Sequence, residues 1–153
     1  MASARRMRVL CLAGRIILEN GGETYRAEDT VTRMAEALGL REVSVFAVPS
    51  GLFVSYMDET DEQRTSVTRI HLRGIHLCRV DRVNQISRQL ARGDLAPDSL
   101  LPALEEAENL CINVPPWYEP LAACLTAGFF AVMFGGGLVD ALISGVCAAI
   151  TQL

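Results

Sequence analysis

The sequence predicts an α+β body, a small antiparallel sheet packed with four helices, followed by an all-α transmembrane hairpin. Three observations predict it. Hydrophobic spacing runs at a helical period near the start, changes to period two in the middle, and returns to helical spacing by residue 79. A proline- and aromatic-rich segment, "CINVPPWYEP", then interrupts the chain at residues 111–120. Beyond it, from Leu121 to Leu153, Asp140 is the only formally charged residue, whereas charges occur throughout Ala2 to Asn109. The expected organisation is therefore a body at 1–110, a linker at 111–120 and a hairpin at 121–153.

Each element has a local cause. Val9, Leu10, Leu12, Ala13, Ile16 and Ile17 recur at helical spacing, which predicts an amphipathic helix over 6–19. Gly21 and Gly22 end it, because glycine takes the left-handed C-cap conformation readily. Thr24 is the expected cap of a second helix, with Glu28 and Asp29 in its first turn and Val31, Met34, Ala35 and Leu38 as its buried stripe. "REVSVFAVP" and "LFVSYMD" alternate around a "PSG" turn and read as a hairpin. "TSVTRIHL" is a third strand, with Val67, Arg69 and His71 on one face and Thr68, Ile70 and Leu72 on the other. Val80, Val83, Ile86 and Leu90 stripe a third helix that Gly93 ends. Ser99 is the expected cap of a fourth, with Pro102 in its first turn, where a missing N–H costs nothing. The body thus has two helices on each side of a small sheet.

In the linker, three prolines fall within six residues, and Trp117 with Tyr118 is a pairing expected at a membrane interface. The segment from Trp117 to Phe134 is 18 residues, about 27 Å as a helix, against a hydrocarbon core of about 30 Å. Gly135, Gly136 and Gly137 make a tight reversal into a second apolar helix. Small residues recur on both helices, Gly128, Ala131 and Gly135 on the first and Ala141, Ser144, Gly145, Ala148 and Ala149 on the second. Such faces permit close helix contact in lipid. The bland alternative is a buried helical hairpin, but a body of this size is a poor cover for two all-apolar helices.

Composition removes several function classes. The net charge is −4, against the basic patch that nucleic acid requires. All 14 basic residues are arginine, so no Schiff-base lysine and no phosphate-binding lysine is available. Cys11, Cys78, Cys111, Cys124 and Cys147 are scattered without a metal-ligand spacing, and His71 and His76 alone make no metal site. They read as free thiols in a reducing compartment. Arg15 interrupts the first apolar stretch, which argues against a signal peptide. Ser50 lies in "PSG" without the G-x-S-x-G context of a hydrolase elbow. No catalytic residue, cofactor or metal is expected, and the chain is not read as an enzyme.

Three sets of residues carry candidate chemistry. Glu23, Tyr25, Arg26, Glu28 and Asp29 crowd into "NGGETYRAEDT". Read blandly, this is a solvated helix start with Arg26 paired to Asp29 or Glu23. Read functionally, it is a polar cluster at a transport mouth or subunit contact. Arg69, His71 and Arg73 follow at period two, and Arg79, Arg82 and Arg88 lie on the next helix. They are expected either to pair with the 23–29 acids or to recognise a carboxylate, which the planar guanidinium fork suits. Asp140, beside the glycine turn, is either an interfacial residue or a proton-coupling acid.

"AGRIILENGGETYRAEDTVTRMAEALGL", "VFAVPSGLFVS" and "TRIHLRGIHLCRVDRVNQISRQL" resemble the N-terminal domain of the threonine/serine exporter family, which also includes the larger subunit of a two-component succinate exporter. The similarity covers roughly residues 8–150, and its most specific motif is G-E-T-Y-R-x-E-D-T at residues 22–30. The resemblance implies secondary export of a small carboxylate-bearing metabolite and a multi-pass location in the cell membrane. It also implies a cytoplasmic N-terminal domain, contact with lipid, and a second transporter subunit or a homo-oligomer. Family members carry more membrane helices than the two apolar segments here, so a truncated product, an assembly fragment or one piece of a split system is expected. A non-transporting regulatory or assembly module anchored to the membrane is the rival.

Overall fold

A computed structural model describes residues 3–71, 74–110 and 115–152. Contacts divide the chain into two compact units, Met1–Leu110 and Cys111–Leu153. The first unit is α+β and contains a three-stranded antiparallel sheet in the order β1-β2-β3. Its elements are α1 (Ser3–Glu19), α2 (Thr24–Ala37), β1 (Arg41–Val48), β2 (Gly51–Met57), β3 (Gln63–Arg69), α3 (Leu77–Arg92) and α4 (Leu100–Glu108). A 3₁₀ turn, Pro97–Ser99, leads into α4. The second unit holds α5 (Tyr118–Met133) and α6 (Leu138–Ile150).

The apolar spacing of α1 is read on more than one side, because Val9, Leu10, Ala13, Ile16, Ile17 and Leu18 are all buried. This helix lies at the centre of the unit and touches α2, α3, α4, β2 and β3. At Gly14 a Cβ would fall 2.4 Å from Leu52 Cδ2, so the missing side chain lets α1 approach the sheet. Tyr56 fills the far end of the same core, and its hydroxyl donates to the Ser3 carbonyl at 3.0 Å. Gly21 takes φ +87° where α1 ends, and the Gly22 N–H returns to the Ile17 carbonyl at 2.8 Å. On α3, Val80, Val83, Ile86 and Leu90 are buried and Gly93 stands at the C-cap, as the stripe predicts.

The helices flank the sheet in pairs along the chain, but in space they do not sandwich it. Leu52, Val54 and Tyr56 point into the core. On the opposite face Phe46, Phe53 and Val67 align across the three strands and remain exposed. Period-two alternation marks a sheet with one covered face, and that is what forms.

Several local expectations are corrected. Glu23, not Thr24, stands at the N-cap of α2, and its carbonyl accepts from the Arg26 and Ala27 N–H groups. Helical hydrogen bonding therefore starts one residue early, which places Glu28 and Asp29 beyond the first turn and beyond most of the macrodipole's reach. Strand β3 stops at Arg69, so His71 is not on it. Leu72 and Arg73 lie outside the described residues. Ser99 precedes α4 without a side-chain cap bond.

The hairpin forms, but not as a pair of full membrane crossings. Helix α5 has 16 residues and α6 has 13, about 24 and 20 Å long against a core of about 30 Å. Among the described residues, no helix is long and apolar enough to cross a membrane. The shortfall is local. Trp117 is the N-cap of α5 rather than part of it, and the helix ends at Met133 ahead of the left-handed Gly135. The two helices pack antiparallel through their small residues. A Cβ at Gly128 would meet the Ala141 carbonyl at 3.3 Å, and one at Gly145 would meet the Cys124 carbonyl at 2.9 Å.

Candidate functional site

The 23–29 cluster does not fold into one constellation. Tyr25 is 62% exposed and Glu23 and Arg26 are also exposed, while Glu28 turns the other way. Its Oε1 accepts from the Ala47 N–H at 2.7 Å, tying α2 to the edge strand β1. Asp29 pairs with Arg33, one helical turn on, at 2.5 Å and not with Arg26. The burst of charge is thus split between an anchor inside the fold, a surface ion pair, and an outward trio of Glu23, Tyr25 and Arg26.

The arginines behave similarly. Arg69 is exposed at the end of β3, opposite Gly51. Arg79 donates to the Leu110 carbonyl at 3.0 Å and to Asn20 Oδ1 at 3.3 Å, closing the joint between α1, α3 and the end of α4. Arg88 lies 3.9 Å from Asp81 on its own helix. Among the described residues, no ion pair joins these arginines to the 23–29 acids.

Asp140 has a defined structural partner. Its Oδ2 accepts from the Gly137 N–H at 2.8 Å, the backward-reaching half of a capping box. The acid therefore closes the glycine turn at the start of α6. Around it the hairpin presents large apolar side chains outward, including Phe129, Phe134, Leu138 and Leu142. An almost wholly apolar groove of about 420 Å³ runs between the two helices.

The strongest electrostatic perturbation lies elsewhere, in the β2–β3 loop. Asp58 is buried, and its Oδ1 accepts from the Thr60 hydroxyl, the Thr60 N–H and the Glu62 N–H, at 2.5, 2.8 and 3.2 Å. Arg64 Nε donates to Oδ2 at 3.0 Å. Thr60's hydroxyl, aided by these other donors and against the opposing effect of burial, holds the carboxyl well below its usual range. Its hydrogen bond to Asp58, with the nearby Glu62 charge, pushes the Arg64 guanidinium up. With every donor supplied by residues 60–64, this is a self-contained loop clamp.

One charged cleft escaped the sequence reading. Arg8, Cys11 and Arg15 from α1, Thr68 from β3, and Glu105 and Glu108 from α4 line a cavity of about 230 Å³. Arg8 pairs with Glu105 at 3.2 Å. Arg15 is half-buried and holds two acids at once, Glu108 at 2.6 Å and Glu19 at 3.3 Å. The signal was present within each helix, since positions 8, 11 and 15 share one helical face and 105 and 108 share another. Nothing in either helix says that the two faces meet across more than 90 residues of chain. Among the described residues, no cluster of His, Cys, Asp and Glu is suited to a metal ion.

Comparison with known proteins adds one finding. A family model described as "Putative threonine/serine exporter" matches residues 8–153. No curated protein and no solved structure matches the chain.

Proposed function

The chain belongs to the threonine/serine exporter family, and from that premise we propose that it is the N-terminal part of a secondary transporter that exports a small carboxylate-bearing metabolite. The observation that carries this reading is that one family match runs through both units, the α+β body and the apolar hairpin. Threonine, serine and dicarboxylates are the substrates in view. In this reading the body faces the cytoplasm and the hairpin sits in the cell membrane.

The hairpin's chemistry supports a need for further helices. Phe134 is 81% exposed and Leu138 82%, and only Gly145 among the α5 and α6 residues is buried. Helices this short and this apolar reach lipid-compatible burial by packing with others. A second subunit or further copies of this chain would supply them. The outward Glu23, Tyr25 and Arg26 fit a contact at the mouth of such an assembly, and Asp140 is the acid available for ion coupling. A second reading, a membrane-anchored assembly module that moves nothing, is favoured by Asp140's engagement as a helix cap.

Purification of the full chain in detergent, with mass determination, tests the assembly. Reconstitution in vesicles with labelled threonine, serine or succinate tests transport. The proposal expects an oligomer or complex that moves at least one of the three. A chain that stays dissolved and monodisperse without any amphiphile, and moves none, overturns it.

A further inference from the structure

The cleft between α1, α4 and β3 has a charge pattern that selects its ligand. Its walls carry two guanidinium groups, Arg8 and Arg15, and two carboxylates, Glu105 and Glu108, so they balance. Thr68 of β3 lines the sheet end of the same cavity. At about 230 Å³ the space is smaller than the roughly 300–1,000 Å³ typical of drug-sized ligands. It suits a metabolite of a few heavy atoms and excludes a nucleotide.

The two ion pairs differ in availability. Arg15 spends both terminal nitrogens, Nη1 on Glu19 and Nη2 on Glu108. Arg8 uses only Nη2, and its pair is the looser and wetter one, with side chains 67% and 47% exposed. Such a pair contributes little to stability and opens at little cost. Once it opens, Arg8 presents a fork for a carboxylate and Glu105, with the second oxygen of Glu108, presents acceptors for an ammonium.

We infer that this cleft binds a small zwitterionic α-amino acid, with its carboxylate on Arg8, its ammonium between Glu105 and Glu108, and a side-chain hydroxyl toward Thr68. A dicarboxylate fits poorly, because its second carboxylate would face Glu105 and Glu108. That the cleft takes a zwitterion stands on its own geometry; that the occupant is the exported metabolite rests on the exporter reading. The site then samples the amino acid with residues of the body alone.

Calorimetric titration of the full chain in detergent with L-threonine, L-alanine and succinate tests the inference. Saturable threonine binding is expected, with no succinate binding. Arg8→Ala, at an exposed position, and Glu105→Gln, at a partly buried one, each weaken it about tenfold or more, the effect of losing one charge-assisted hydrogen bond. Thr68→Val weakens threonine binding and leaves alanine binding unchanged, a difference that a collapsed cleft would not produce. Bound threonine also slows alkylation of Cys11, followed by peptide mass spectrometry. Absence of saturable threonine binding, equal binding of succinate, or indifference to all three substitutions overturns the inference. Vesicle transport separates the two readings, since export by a chain that binds no threonine in the cleft removes this site and leaves the exporter intact.

Discussion

Glu28 Oε1 accepts a hydrogen bond from the Ala47 N–H at 2.7 Å. The bond joins α2 to β1, an edge strand whose outer amides would otherwise have no strand partner. Removing the acceptor leaves a partly covered amide unsatisfied. Glu28→Ala is therefore expected to destabilise the body by about 1–3 kcal/mol, while Glu28→Gln, which keeps an acceptor oxygen, loses less. Chemical denaturation of the two variants beside the parent measures the difference, and equal losses would show that the bond is not what matters at residue 28.

Asp58 makes the stability of the β2–β3 loop depend on acid. A carboxyl held below its unfolded value adds stability above that value and loses it as protons reach the folded form. The unfolded value is about 3.9, and Thr60, Glu62 and Arg64 hold the folded one lower. The contribution is thus complete at neutral pH and fades only as pH falls below about 4. Asp58→Asn should lower the melting temperature at pH 7, and its gap to the parent should narrow in acid. A gap that stays constant from pH 7 to pH 3 would refute the clamp.

Gly145 controls the spacing of the hairpin. A Cβ there would stand 2.9 Å from the Cys124 carbonyl and 3.0 Å from Cys124 Sγ. Backbone cannot yield as a side-chain tip does, so α5 and α6 must separate. Gly145→Val is expected to cost about 1–3 kcal/mol and to speed hydrogen exchange across 118–150 in detergent. Gly137→Ala is the control, because only the Asp140 carboxylate, at 3.7 Å, approaches its Cβ position.

Elements whose causes are local were legible in the sequence. The stripe of α3 with its terminal Gly93, the hairpin around the proline turn, and the reversal at Gly135 each follow from residues a few positions apart. Features that depend on distant partners were not. Arg15 appears in the sequence only as a charge interrupting an apolar stretch, yet it pairs with Glu108, 93 residues away. Glu28 reads as one of several clustered acids, and only the arrival of β1 distinguishes it from Asp29. The length of α5 was overestimated because apolarity continues through Trp117 and Phe134, where hydrogen bonding does not.

Asp29 and Arg26 separate function from stability. Asp29 has one partner, Arg33, in a solvent-facing i,i+4 pair, a type worth about 0.3–0.5 kcal/mol. Arg26 is exposed and has no ion-pair partner among the described residues. Asp29→Ala should therefore shift the unfolding midpoint only slightly and Arg26→Ala hardly at all. If the cluster forms a subunit contact or a transport mouth, vesicle transport or complex mass changes in these variants despite their intact fold. Unchanged transport and unchanged mass in both would remove the cluster from the mechanism.

Asp140 is the sharpest case, because its structural and coupling roles respond differently to two substitutions. As a cap it needs only an acceptor oxygen facing the Gly137 N–H. Asparagine supplies one, alanine does not, and the loss of one such hydrogen bond typically costs about 0.5–1.5 kcal/mol. As a coupling group it needs a proton that comes and goes, which asparagine cannot provide. Asp140→Asn should thus keep the hairpin packed, as read by hydrogen exchange over 138–150, while abolishing the pH dependence of vesicle transport. Asp140→Ala should lose both. A fully pH-responsive Asp140→Asn protein would confine the residue to closing the glycine turn, and the coupling ion would have to be handled by helices outside this hairpin.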